Sequence, residues 1–186
     1  AAKGSNVIGI DICVSAITEA KKYETDNLNF YLHDIRLPFY INYFNYAFNF
    51  FTSFGYFKTM REHNDALRTL AQSLKLNGIL MIDYLNVPFT EDNLKLNETL
   101  EINHVVFNIE RWHDTEYFYK RIHITDKEKN INEIFTEQVE KFSLGDFTDM
   151  LSYQGLQVEN VFGDYELNEY DVKKSPRMIM VAKKIH

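Results

Sequence analysis

The sequence is poor in the residues that staple, bend or break a chain. Its 186 residues include one cysteine, Cys13, so no intrachain disulfide can form. That usage fits a reducing compartment, and a cytoplasmic protein is expected. Three prolines and seven glycines exclude collagen-like and low-complexity architectures. No run of about 18 apolar residues occurs, so no membrane-spanning helix is expected. The first residues, AAKGSNVIGID, lack the apolar stretch of a secretory signal. Long basic runs are missing too: the longest are pairs, such as Lys21-Lys22, Lys173-Lys174 and Lys183-Lys184. With 27 acidic against 20 basic side chains the net charge is −7, which repels a phosphate backbone; no nucleic acid partner is expected.

What is abundant is aromatic: 15 Phe and 12 Tyr. Rings of this kind fill cores first and line pockets second. At roughly 150 residues per domain the chain makes one domain, able to bury about 70% of its unfolded surface without staples. The sequence begins without methionine, and Ala1-Ala2-Lys3-Gly4 reads as the end of a helix closed by a glycine, so an N-terminal portion is expected to be missing.

Periodicity and breakers predict the elements. NVIGID (6–11) and LNFYLHD (28–34) read as short buried strands, each ending in an acid. Val14–Tyr23 reads as a helix capped by Ser15. Pro38 makes 34–39 a loop. The aromatic run Tyr43–Phe51 reads as a central strand. Lys58–Leu76 is the clearest helix, with Leu67, Leu70, Ala71 and Leu74 at i, i+3, i+4 and i+7; Asn77-Gly78 ends it, and ILMIDYL (79–85) is again a strand. This alternation predicts an α/β fold: a Rossmann-like, mostly parallel sheet with helices on both faces.

The second half changes character. Residues 98–109, 115–125 and 131–142 are long, polar and partly alternating, and predict an antiparallel β-meander spanning 96–142 as an insertion in the one domain 1–186. Ser143–Tyr153 reads as a short helix opened by a Ser143/Asp146 capping pair. Leu156–Phe162 and Arg177–Lys183 then read as strands, joined by a polar connection at 168–174 that is expected to be mobile.

Chemistry gathers at strand ends. In parallel sheets ligands bind beyond the carboxyl ends of the strands. Asp11 and Asp34 both lie there, where carboxylates can accept hydrogen bonds from ribose hydroxyls and from an exocyclic adenine amine. The six histidines show no i, i+4 pair and no cysteine set, so no metal site is expected. Cys13 lies at a possible helix start, where a thiolate would be stabilised, yet no histidine adjoins it and a buried packing role is expected. Tyr117, Tyr119, Arg121 and His123 alternate and share one strand face.

The stretches 6–22 (NVIGIDICVSAITEAKK), 32–39 (LHDIRLPF), 48–57 (FNFFTSFGYF), 70–86 (LAQSLKLNGILMIDYLN), 147–165 (FTDMLSYQGLQVENVFGDY) and 175–184 (SPRMIMVAKK) are similar, in this order and spacing, to class I S-adenosylmethionine-dependent methyltransferases of the small-molecule type. The resemblance implies S-adenosylmethionine as cofactor and a small-molecule acceptor methylated on N, O or C. By position it implies that Asp11 binds the ribose, Ile12 packs on the adenine, Asp34 and the Ile35 backbone hold the adenine amine, and Phe51, Thr52 and Ser53 line the methionine end. It further implies that Phe54, Tyr56, Tyr84 and Asn86 border the acceptor; Tyr119 and Arg177 are added as candidate acceptor contacts, while a salt bridge stays open for Arg177. The meander would form a lid over the acceptor, and the protein would be a monomer or homodimer. The family's first strand and its G-x-G-x-G loop do not occur: the glycines stand at 4, 9, 55, 78, 145, 155 and 163. Two alternatives remain open, a methyltransferase-like binding module without catalysis and an NAD-dependent oxidoreductase.

Overall fold

The run VIGID forms strand β1 (Val7–Asp11). Helix α1 (Val14–Ala20), tightened at its end into a 3-10 turn at Lys21–Tyr23, carries the chain back to β2 (Leu28–Leu32). The two strands pair in parallel, Val7 opposite Leu28 and Asp11 opposite Leu32. The computed structural model describes residues 1–126 and 128–186. Ser15 does not cap α1; that position falls to Cys13, whose backbone is extended and whose side chain makes no cap bond. Cys13 is exposed rather than buried, because Asp11 Oδ1 accepts its N–H at 2.7 Å and turns the chain outward from the strand.

The second sheet starts with β3 (Phe44–Asn49), joined through α2 (Met60–Ser73) to the parallel strand β4 (Leu74–Leu85). Helix α2 begins where Thr59 Oγ1 accepts the Glu62 N–H. It stops at Ser73, three residues before the expected end, because Leu74 already pairs with Phe44 of β3. Asn77, with φ +63°, absorbs the register shift that follows, so Asn77-Gly78 marks a bulge in a strand rather than the end of a helix. A short helix that periodicity did not reveal, α3 (Val87–Asp92), follows with proline in its first turn.

The meander has four strands where the sequence pattern indicated three: β5 (Asn97–Ile102), β6 (Val105–His113), β7 (Tyr117–Asp126) and β8 (Ile131–Glu140), each antiparallel to the next. The extra break is a two-residue turn at Asn103-His104, with φ of +48° and +68°. Such a turn normally advertises itself as Asn-Gly, and histidine in the second place hid it. Helix α4 (Leu144–Tyr153) opens with the expected capping box, Ser143 and Asp146 bonding reciprocally. The last strands, β9 (Leu156–Phe162) and β10 (Arg177–Lys184), complete a sheet ordered β3-β4-β10-β9, which is mixed rather than mostly parallel because β10 runs antiparallel to both β4 and β9. The connection between them is tied down by Asp171, whose carboxylate accepts the Lys173 N–H at 2.8 Å.

The core lies between this sheet and two helices. Leu67 and Ala71 of α2 and Phe147 and Leu151 of α4 pack on Leu80, Ile82 and Tyr84 of β4 and Met178, Met180 and Ala182 of β10, all buried. Each such leucine or phenylalanine contributes about 1.5–3 kcal/mol by leaving water. On the other face of β3, Tyr46 and Phe48 stack with 6.3 Å between ring centroids and remain more than half exposed. β1 and β3 are not hydrogen-bonded to each other; Ile8, Ile10, Ala47 and Phe48 line an apolar slot of about 110 Å³ beside them. Among the described residues no helix is long and apolar enough to cross a membrane.

Candidate functional site

A cleft of about 740 Å³ opens at the carboxyl ends of β1, β2 and β3. The strand ends bring Asp11 and Ile12, Asp34 and Ile35, and Asn49 and Phe50 to its wall; the loop after β3 adds Ser53 and Tyr56. A volume in this range suits a ligand the size of a nucleoside derivative.

Asp11 is fixed by its own chain reversal. One carboxylate oxygen accepts the Cys13 N–H at 2.7 Å, and the other accepts no hydrogen bond among the described residues. Asp34 is engaged more heavily. Its oxygens accept the Arg36 N–H at 2.9 Å, the guanidinium Nε at 3.0 Å and Nη2 at 2.6 Å. Arg36 also pairs with Glu62 and lies 5.5 Å from the centre of the Phe57 ring. The bonds from Arg36 hold the Asp34 carboxyl below the usual carboxylate range. Asp34 therefore reaches a ligand amine only by sharing its lone pairs with Arg36.

Asn49 is a cleft residue that the sequence reading missed. It closes β3, is 9% exposed, and its Oδ1 has no hydrogen-bond partner among the described residues. A buried acceptor left unsatisfied beside a cleft calls for a ligand donor. The available signal was an asparagine ending an aromatic strand, Phe44-Asn45-Tyr46-Ala47-Phe48-Asn49, at the same sheet end as the two acids.

Of the residues named from sequence, Asp11, Ile12, Asp34, Ile35, Ser53 and Tyr56 meet at this cleft. Ser53 closes a turn, its hydroxyl donating to the Phe50 carbonyl at 2.6 Å. Burial and the negative charge of Glu137 push the Tyr56 phenol above its ordinary pKa, so it is a neutral donor at physiological pH rather than a base. Phe51 and Thr52 sit between Phe50 and Ser53 in the left-handed region, with φ of +57° and +55°. Phe51 is 76% exposed, and the Thr52 hydroxyl accepts from Arg177 Nη2 at 2.9 Å.

The remaining candidates lie elsewhere. Phe54 and Tyr84 are fully buried in the main core. The Tyr84 hydroxyl donates to the Glu140 carbonyl, and burial drives its pKa far above the ordinary phenol. The Asn86 amide donates to the carbonyls of Ser175 at 2.7 Å and Val172 at 3.0 Å, pinning the β9–β10 connection. Tyr119 stacks on Trp112 at 5.2 Å and donates to Asp114 at 2.8 Å. The Arg177 guanidinium is paired with Asp83 at 2.7 Å, which is the salt bridge left open above. Tyr84, Asn86 and Arg177 sit at or near strand ends as expected, but their polar groups are satisfied inside the protein.

A backbone hydrogen bond ties the meander to the cleft loop. Glu140 N–H at the end of β8 donates to the Gly55 carbonyl at 2.9 Å. Gly55 has φ +98°, and a Cβ there would lie 2.7 Å from the Tyr84 hydroxyl and 3.0 Å from Val139, so glycine is required. No group of three or more His, Cys, Asp or Glu is placed to hold a metal among the described residues.

Residues 1–82 match the family model of the methyltransferase domain. No curated protein is matched by sequence. Among solved structures, the CcbJ methyltransferase of Streptomyces caelestis superposes with a TM-score of 0.80 at 17% identity, over 100% of this chain and 77% of that one. An S-adenosylmethionine-dependent methyltransferase from Clostridium acetobutylicum gives 0.79 at 15% identity, over 96% and 75%. A sugar N-methyltransferase from a Streptoalloteichus species gives 0.77 at 16% identity, over 96% and 71%. Residues 1–82 thus share the sequence pattern of the methyltransferase domain, and the whole chain shares the fold of S-adenosylmethionine-dependent methyltransferases.

Proposed function

We propose that the chain transfers a methyl group from S-adenosylmethionine to a small-molecule acceptor. The observation that carries this reading is the meeting, at one cleft, of Asp11 and Asp34 from the ends of adjacent parallel strands with the unsatisfied Asn49 acceptor from the end of β3. These groups fit the cofactor. The free oxygen of Asp11 suits a ribose hydroxyl, Asp34 and the Ile35 backbone suit the adenine edge, and Asn49 suits the ammonium of the methionine end. Ile12, 66% exposed at the cleft, offers a face for the adenine ring.

The cofactor supplies an activated methyl on sulfur, so the protein's work is orientation and exclusion of water. Ile12 and Phe50 provide apolar wall, while Asp11 and Asn49 fix the two polar ends. Tyr56, half-exposed at the loop side, is placed to donate a hydrogen bond to an acceptor heteroatom. Because its pKa is raised, it does not take the acceptor's proton near neutrality; an amine acceptor that arrives unprotonated needs no base. The meander, joined to the cleft loop at Gly55, is the acceptor-side wall. Two similar structures are described as a sugar N-methyltransferase and an amino pentose methyltransferase, which supports testing amino sugars first. We place the protein in the cytoplasm, as monomer or homodimer.

Thermal unfolding with S-adenosylhomocysteine, and with NAD in parallel, tests the reading. Ligand at about 100 times its Kd adds about 2.7 kcal/mol, a shift of several degrees for a chain this size. A shift with S-adenosylhomocysteine alone is expected; a shift with NAD alone, or none with either, overturns it.

A further inference from the structure

We propose that the ion pair of buried Asp83 with Arg177 is a positioning device for the cofactor cleft: it holds Phe51 and Thr52 in the left-handed turn that brings Phe50 and Ser53 to the cleft wall. Neither residue lines the cleft. Asp83 is fully buried near the end of β4, and Arg177 opens β10 opposite Leu85, two residues along the ladder from the Asp83–Ile179 pairing. The Asp83 carboxylate accepts Arg177 Nε at 2.7 Å, the Tyr165 hydroxyl at 2.9 Å and the Phe51 N–H at 2.8 Å. The Asp83 carbonyl accepts the Thr52 N–H at 3.0 Å, and Arg177 Nη2 reaches the Thr52 hydroxyl at 2.9 Å. Both backbone N–H groups of the turn, and its one polar side chain, are thus tied to this pair.

The turn needs the tie. Left-handed backbone at two successive residues, one aromatic and one β-branched, is sterically unfavourable and persists only where surroundings over-determine it. A carboxylate fully buried at the end of a core strand, with its partly buried guanidinium partner, costs desolvation that apolar residues would not. Holding a strained loop against the cleft is a reason to keep it. The proposal rests on the cofactor reading above for what the turn serves, and on the bonds just given for how the turn is held.

The experiment compares full-length wild type with Asp83→Asn, Tyr165→Phe and the double variant Asp83→Asn/Thr52→Gly. The readouts are calorimetric binding of S-adenosylhomocysteine and hydrogen exchange of the 50–56 amides. Asp83→Asn is expected to weaken binding about tenfold or more and to speed exchange at Phe51 and Thr52. Tyr165→Phe removes one outer donor from a half-exposed residue, so it keeps the fold and weakens binding about two- to fivefold, the range of one hydrogen bond. Glycine adopts positive φ freely, so the double variant recovers affinity relative to Asp83→Asn. Leu151→Val, a core change in α4, lowers the melting temperature and leaves affinity unchanged; this separates positioning from general loosening. Wild-type affinity and unchanged exchange in both Asp83→Asn and Tyr165→Phe overturn the proposal, as does a double variant no better than Asp83→Asn. Where Asp83→Asn does not fold, Tyr165→Phe decides alone. If wild type itself does not bind S-adenosylhomocysteine, the cofactor reading and the turn's service to it both fall, and exchange still decides whether the pair holds the turn.

Discussion

His63 shows how burial sets the character of a single residue. It sits on α2 with no exposed surface, ringed by Phe54, Phe57 and Phe142 at centroid distances of 5.1, 5.1 and 4.9 Å. Nδ1 lies 3.1 Å from the Thr59 carbonyl, and Nε2 has no partner among the described residues. Burial pushes its pKa below the ordinary value, so the folded protein keeps it neutral. Since the unfolded chain takes up the proton first, stability is lost as pH falls below about 6.5. His63→Gln removes this titration. The gap in melting temperature between wild type and variant should shrink from pH 7.5 to pH 5.5; a constant gap would show that His63 does not titrate on unfolding. In the cleft, Asp11→Ala removes the proposed ribose acceptor. It should raise the Kd for S-adenosylhomocysteine about 10–100-fold, the worth of hydrogen bonds to a charged group, and an unchanged Kd in calorimetry would remove Asp11 from the site.

At the scale of elements, end groups decide boundaries more sharply than periodicity does. Helix α4 starts where Ser143 and Asp146 exchange hydrogen bonds, Ser143 N–H donating to the Asp146 carboxylate at 2.8 Å. Ser143→Ala should cost about 1 kcal/mol, a drop of about 2–4 °C in melting temperature; no drop would mean that the packing of Phe147 and Leu151 alone fixes the helix start. The same local chemistry was legible for Ser143 and for the strand-ending acids. It was not legible for Asn103-His104, where histidine takes a left-handed position usually given to glycine. Nor was it legible for Leu74, which looks helical by spacing but begins a strand because Phe44 is there to pair with it.

For the whole molecule, the sheet predicts a gradient of stability. Among the described residues β4 is hydrogen-bonded on both sides, to β3 and to β10, whereas β1 pairs only with β2 and β3 only with β4. Amides of Ile79–Leu85 should exchange slowest, close to the global unfolding rate, and those of β1 and β3 markedly faster. Equal protection in β1 and β4 would show that the β1–β3 slot is closed in solution. The exposed Tyr46 and Phe48 face adjoins this slot, so both belong to the less protected side of the fold.

By itself the sequence determined the alternation of strand and helix, the α/β class, the antiparallel second half, and the two acids at strand ends. These follow from local periodicity, breakers and caps, which act within a few residues. Only the tertiary structure decided which side chains share the cleft. Tyr84, Asn86 and Arg177 stand in the expected register, yet partners distant in the chain satisfy their polar groups, at Glu140, Ser175 and Asp83 respectively. Asn49 looked like an ordinary strand residue, and only burial without a partner marks it as a binding group. Register places a residue at a sheet end; whether it is free to bind depends on what the rest of the chain brings beside it.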